Sequence, residues 1–294
     1  MRLLFIVNPV AGRNYGREAA RRAEALLIAK GATVEIAFSL FAGHAVELAR
    51  TADLKELDGI VAVGGDGTLF EVVNGLLKTH EDLPVPLGQI PVGTGNSFSQ
   101  DLEIHDLETA IEKISLGKTK NFDVGFFTCE MGFFYFLNVL GVGFVADVCA
   151  WAFQRKGLGQ LSYALGVIII TASLDHFQLR LTVDGTVYER EGCFVEVCNS
   201  RYTAGNMKIA PEAKIDDGLL DVMLLNRISR LRLLKAFPLV FSGKHLSIPQ
   251  VEVFRGEHIK VETDQAKILT PDGEVFGHTP IEAGVLRQKI RMFF

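Results

Sequence analysis

Cysteine is scarce in this chain. Four cysteines among 294 residues, Cys129, Cys149, Cys193 and Cys198, are too few and too scattered to staple a fold together. Cys193 and Cys198 lie an odd number of positions apart in one strand-like run, so their side chains point to opposite faces. Free thiols in a reducing cytoplasm are the expected state. The seven histidines show no zinc-ligand spacing. Basic charge is also short: 30 Lys and Arg against 35 Asp and Glu leave a net charge of −5, and no Lys/Arg-rich run relieves it. That balance excludes a nucleic-acid-coating protein, and attraction to anionic lipid would need a local basic patch. A spanning helix needs about 20 predominantly apolar residues. The uncharged stretches 131–146 and 157–174 are interrupted by glycine and polar residues, so buried core is expected, with an interfacial role as the alternative. Residues 3–7 have no small-residue cleavage site behind them and read as a core strand, not a signal peptide.

What is present is a globular composition, 48% hydrophobic and 22% charged, with a length that suggests about two domains. No internal repeat or low-complexity tract occurs. Residues 3–7, 33–38, 59–63 and 87–92 read as apolar strands. They alternate with helical stretches at 17–30 (stopped by Gly31), 44–50, 69–77 and from 97 onward. Strand and helix in alternation imply right-handed crossovers and a parallel, doubly wound, Rossmann-like sheet. Past residue 125 the pattern changes. Residues 178–183 alternate, turn at Asp184-Gly185 and continue through 186–188, a hairpin signal. Further short strands are expected at 193–198, 219–225, 251–254, 258–262 and 274–276, with helices near 161–174 and 230–241. The expected architecture is an α/β domain over 1–125 and a β-sandwich domain over 126–281, with 282–294 a candidate to pack back on the first. The cleft between the domains is the default ligand site.

Three strand-to-helix corners of the first domain carry unusual residues. The first is Asn8-Pro9-Val10-Ala11-Gly12. The second is Gly64-Gly65-Asp66-Gly67-Thr68, and the third is Gly93-Thr94-Gly95-Asn96-Ser97. Glycines let backbone N–H groups approach a ligand, and a helix N-terminus adds partial positive charge, which suits phosphate. Each corner alone is also an ordinary tight turn. Neither the P-loop nor the dinucleotide fingerprint fits. Asp66 within an anion-binding loop calls for an intervening cation or sugar hydroxyl, so a Mg²⁺–nucleotide complex is a natural partner. Asp216-Asp217-Gly218-Leu219 and Pro271-Asp272-Gly273-Glu274 read alone as polar turns, the latter as a hairpin turn with Pro at its second position. The aromatic run Phe126, Phe127 and Phe133 to Phe136 reads as buried strand.

Together these motifs resemble the diacylglycerol kinase catalytic-domain family, which includes soluble bacterial lipid kinases and sphingosine kinases and is distantly similar to NAD kinases. The Asn8-Pro9 opening, Asn74-Gly75, the run Leu140-Gly141-Val142-Gly143-Phe144, Ala210-Pro211 and Asp272-Gly273-Glu274 also match, in order along nearly the whole chain. The resemblance implies that Gly64, Gly65, Asp66, Gly67, Thr68, Leu69, Phe70 and Thr94 bind ATP, with Ser39 contributing a hydroxyl and Asn8 and Asn96 completing the loops. It implies a structural Mg²⁺ site at Lys214, Asp217 and Leu219, where backbone carbonyls join one carboxylate. Glu274 is implied as the base toward a lipid hydroxyl, with Asp272 orienting it and Asp66 as rival base or ligand of a second Mg²⁺. Two departures stand out: Ser97 replaces the usual aspartate, and Ser39 the commoner threonine.

The expected function is therefore an ATP- and Mg²⁺-dependent lipid kinase, with diacylglycerol the foremost acceptor. It is expected in the cytoplasm, peripheral to the inner membrane surface, with no nucleic-acid partner. Arg155 and Lys156, just before an apolar helix, are candidates to meet lipid phosphates. Oligomeric state is open, a homodimer among the options. The rivals are a kinase of a soluble acceptor such as NAD and a nucleotide-binding regulator without catalysis.

Overall fold

The computed structural model describes residues 1–93, 95–155 and 161–294. The chain forms two compact units, one of residues 1–122 with 288–294, the other of residues 123–287. The first runs β1 (Arg2–Val7), α1 (Ala11–Asn14), α2 (Gly16–Ile28), β2 (Thr33–Phe38), α3 (His44–Thr51), β3 (Gly59–Gly64), α4 (Asp66–Leu77), β4 (Leu87–Pro91), α5 (Ser97–Asp101) and α6 (Leu107–Leu116). Strands β2, β1, β3 and β4 pair in parallel in that order, and Met292 extends the ladder opposite Leu87. β1 and β3 are buried almost end to end, which is why they read as unbroken apolar runs. Helix α2 packs Ala19, Ala20, Ala23 and Leu27 inward as one stripe. The sequence pattern passes over α6, which Asp106 starts by accepting the Thr109 N–H at 2.7 Å.

The second unit contains most of β5 (Thr119–Cys129), then β6 (Gly132–Phe136), β7 (Val139–Gly143), α7 (Phe144–Phe153), α8 (Leu161–Thr171), β8 (Phe177–Val183), β9 (Thr186–Cys198), β10 (Tyr202–Thr203) and β11 (Met207–Lys208). After these come β12 (Leu220–Asn226), α9 (Arg230–Ala236), β13 (Val251–Gly256), β14 (His258–Thr263), β15 (Leu269–Pro271) and β16 (Ile281–Phe293), whose last residues belong to the first unit. The expected strands at 186–188 and 193–198 are one continuous strand. β9 pairs with β8 through its first half and lies between β12 and β7 through its second. No regular strand forms at 274–276; that segment is the irregular return of a hairpin begun by β15. The helix expected over 230–241 is helical only to Ala236 and continues as a 3₁₀ turn.

The two faces of β15, β7, β9 and β12 differ. Leu269, Leu140, Val142, Val195, Val197, Val222 and Leu224 enter the sandwich core with Phe127 and Phe136. The opposite face carries Thr270, Val139, Gly141, Phe194, Glu196 and Leu225. Strand alternation separates the two sets. α7, α8 and α9 supply residues facing this second set across a cavity. Among the described residues, no helix is long and apolar enough to cross a membrane.

Candidate active site

All three corners sit at the carboxyl edge of the parallel strands, and they interlock. The Asn8 N–H donates to Val63 O at 3.0 Å, and the Val92 N–H donates to Gly64 O at 2.9 Å. A Cβ built on Gly65 would lie 3.1 Å from the Gly93 Cα, so the second and third corners touch backbone to backbone. Only glycine at both positions permits this approach. Asp66 closes the junction. Its carboxylate accepts the N–H of Ser97 at 2.9 Å and of Phe98 at 3.3 Å, capping α5 from across the fold. Ser97 itself is buried and takes part through its backbone.

Helix α4 begins at this junction with Gly65 as N-cap and no side-chain cap. A helix of 12 residues with a glycine-lined, uncapped N-terminus is a fitting cradle for an anion. Asn96 holds a left-handed conformation (φ 57°), donates to Gly93 O at 2.8 Å and leaves its Oδ1 buried without a partner. Asn8 folds its Oδ1 back onto the Val10 N–H at 3.1 Å and so shapes its own corner. Ser39 follows β2, its N–H bonded to Val7 O at 2.8 Å. Gly67 is the second residue of α4, and Thr68 is buried against Gly64. Leu69 and Phe70 are core side chains, so a ligand could meet them only through their backbone. Thr94 lies outside the described residues, as does Lys156. Arg155 stacks its guanidinium 4.2 Å over the Trp151 ring.

In the second unit, Pro271-Asp272-Gly273-Glu274 is a tight turn with the Glu274 N–H donating to Pro271 O at 2.9 Å. Pro271 occupies the first turn position, not the second. Asp272 (φ 48°) and Gly273 (φ 87°) are the two central residues, and positive φ at both is the mark of a type I′ hairpin turn, which favours Asp-Gly. The buried Asp272 carboxylate accepts N–H groups from Leu137 at 2.8 Å, Asn138 at 2.7 Å and Val139 at 3.1 Å. It therefore fixes the turn, and Glu274 is carried on a corner held by these bonds.

Of the three expected metal ligands, Lys214 and Leu219 would each contribute a backbone carbonyl. Asp217 is the one carboxylate, its Oδ1 accepting the Leu219 N–H at 3.1 Å and its Oδ2 3.8 Å from Arg255. Among the described residues, no group of three or more His, Cys, Asp or Glu converges anywhere. An all-oxygen set with a single carboxylate fits Mg²⁺, which keeps several waters, and not zinc. Sequence reasoning passes over Asp123, fully buried, whose carboxylate accepts the Gly218 N–H at 2.6 Å and whose N–H donates to Ile215 O at 2.8 Å. An aspartate within the otherwise apolar Phe122-Asp123-Val124 is its only signal.

A partly open cavity of about 120 Å³ lies within the second unit between the β7–β9 face and α7, α8 and α9. Its walls are mostly apolar, among them Val148, Val167, Phe194, Leu225 and Phe237, and Gly273 of the turn reaches them. Outward from it, α8 presents Leu161, Leu165, Ile168 and Ile169 to solvent, spaced to share one helical face.

Residues 2–127 match the family described as "Diacylglycerol kinase catalytic domain", and residues 139–294 match "YegS C-terminal NAD kinase beta sandwich-like domain". A curated "Diacylglycerol kinase" of Bacillus subtilis is 29% identical, covering 96% of this chain and 92% of its own. "Putative lipid kinase YtlR" of the same organism is 30% identical over 94% of each chain. The solved structure of a "putative diacylglycerol kinase" from Bacillus anthracis superposes with a TM-score of 0.81 at 29% identity, covering 100% of this chain and 97% of that one. A parallel α/β unit with interlocked glycine corners, followed by a β-sandwich, is thus the architecture of a known group: the chain belongs to the diacylglycerol kinase catalytic-domain family.

Proposed function

We propose that the protein is an ATP- and Mg²⁺-dependent lipid kinase that transfers the γ-phosphate to a lipid hydroxyl, with diacylglycerol as acceptor and phosphatidic acid as product. The observation that carries this reading is the apolar cavity beside the Asp272–Glu274 turn, which a kinase of a soluble acceptor such as NAD would not need. The relatives' names agree with it. The glycine corners bind the phosphates: backbone N–H groups of Gly64, Gly65, Gly67 and Thr68 at the α4 N-terminus, joined by Thr94, Asn96, Ser39 and Asn8. Asp66 acts as a clamp. Both its oxygens accept backbone N–H groups, a state that suits holding two loops in register better than accepting a proton.

Lys214 and Leu219 carbonyls with the Asp217 carboxylate would hold a structural Mg²⁺, which would brace the turn they share, while the Mg²⁺ that accompanies ATP would supply the neutralisation of phosphate charge. Glu274 is the base. As the lipid oxygen bonds to the γ-phosphorus and the bond to ADP breaks, the hydroxyl proton passes to its carboxylate. Phosphoryl transfer has a loose transition state, so the fixed placement of Glu274 by Asp272 matters more than its basicity. The exposed stripe of α8 rests on the lipid surface of the inner membrane face, with its buried side, Tyr163 and Val167, lining the cavity.

The test is a pair of variants. Asp66→Ala and Glu274→Ala should each abolish turnover, and only Asp66→Ala should weaken binding of a fluorescent ATP analogue. Wild-type turnover in Glu274→Ala rules out the base assignment.

A further inference from the structure

The apolar cavity has one polar place. Register puts Thr270 of β15 opposite Gly141 of β7, and Gly141 opposite Glu196 of β9. Directly paired residues share a face, so the three form a row across the sheet. A Cβ on Gly141 would stand 2.7 Å from the Thr270 Cγ2, 2.8 Å from the Val145 Cγ2 and 3.6 Å from the Glu196 Cγ, so the two methyls cover the glycine and bring Thr270 and Glu196 together over it. Glu196 is 3% exposed and Thr270 5%. Oε2 of Glu196 and Oγ1 of Thr270 have no hydrogen-bond partner, although an unsatisfied buried polar atom costs about 1–3 kcal/mol. Two such atoms, on residues that line one apolar cavity, indicate a missing third party.

Its chemistry follows from the donors. Among the described residues, no Lys, Arg or Asp lines the cavity, and the other titratable side chains there are Cys149 of α7, Tyr163 of α8 and His245. Cys149 donates its S–H to Gly273 O at 2.9 Å, and burial lowers the His245 pKa, keeping the ring neutral. With no cation beside it, burial pushes Glu196 up to about 8, so at neutral pH it carries a proton. Thr270 and Glu196 then offer two O–H donors, and a group that only accepts matches them both. We propose that Thr270 and Glu196 together bind the acyl carbonyl oxygen of a glycerolipid whose chain occupies the cavity. This rests on the lipid-acceptor reading above and adds the residues that recognise the acyl linkage. The placement is consistent with that reading, because Thr270 and Glu274 are on one hairpin and Gly273 lines the same cavity. In a diacylglycerol, the ester carbonyl and the free hydroxyl are only a few bonds apart.

The test compares dioctanoylglycerol with its dioctyl ether analogue, which keeps the hydroxyl and chains but lacks both carbonyls. Both are used in detergent micelles with the full-length protein. Binding is read with bromine-labelled chains as quenching of Trp151, the sole tryptophan, on α7 beside the cavity. Phosphorylation is read in parallel. The wild type should prefer the ester about tenfold, the scale of one net hydrogen bond. Thr270→Val and Glu196→Met should bring the ester-to-ether ratio toward one, while Glu196→Gln, which still donates, keeps most of it. A merely structural role would weaken both lipids alike and leave the ratio unchanged. A wild-type ratio near one, unchanged ratios in the variants (a polar pair that holds only water), or no quenching by either lipid overturns the proposal. Ester preference in binding without phosphorylation of either lipid sustains the carbonyl contact and overturns the kinase reading alone.

Discussion

Replacing Gly93 by alanine tests the interlocked corners most sharply. The new methyl would stand 2.7 Å from Asn96 Oδ1 and 3.1 Å from the Gly65 N, against 3.4 Å or more for ordinary contact, and would overlap the Gly65 Cα. Two of these neighbours are backbone of the opposing corner, which cannot swing aside as a flexible side chain would. The corners must therefore part by on the order of 1 Å, a misplacement worth about 100-fold in rate when it affects reacting groups. Overpacking of this kind costs about 1–3 kcal/mol, or roughly 2–12 °C in melting temperature for a unit of this size. The variant should thus fold, melt earlier, bind ATP weakly and show kcat/KM for ATP lowered about 100-fold. Steady-state kinetics over an ATP series, with calorimetry on the same sample, measures both. A Gly93→Ala protein with unchanged ATP affinity and turnover would refute the idea that contact between the corners shapes the phosphate site.

Two further outcomes follow from the second unit. The Glu196 pKa is raised from 4.5 to about 8 by burial, so between those values the folded chain holds a proton that the unfolded chain releases. Stability from this group is therefore full below pH 4.5 and is lost, at up to about 1.4 kcal/mol per pH unit, as pH rises toward 8. Glu196→Gln should flatten that slope and melt above the wild type at pH 8.5, and identical melting-versus-pH curves for the two proteins would contradict the burial argument. On α8, Leu165→Asp with Ile168→Asp should cut co-sedimentation with anionic vesicles several-fold while leaving the melting temperature within about 1 °C. Unchanged pelleting would remove α8 from the membrane contact.

The first unit is largely legible in the sequence because each of its signals is local. An apolar run such as 59–63, three glycines and a helical period announce β3, the corner and α4 without reference to the rest of the chain. The partners of the site residues are less legible, because they are distant. Nothing near Asp66 announces that it caps α5 at Ser97 and Phe98, and nothing near Asp272 announces the amides of Leu137 to Val139. β9 hides its continuity behind the polar residues Glu189 to Glu191, where one partner strand gives way to another. Glu196 has a signal that can be read in retrospect: a single carboxylate inside the buried run Cys193 to Cys198, at a position facing away from Val195 and Val197.

The account as a whole is tested most directly by where labelled phosphate goes. Purified protein with γ-labelled ATP and Mg²⁺ is offered diacylglycerol in mixed micelles alongside NAD in solution, and the phases are separated and counted. The account predicts label in the lipid phase, on a product with the mass of phosphatidic acid, and none without Mg²⁺. Label on NAD, or no transfer to either acceptor, would contradict it.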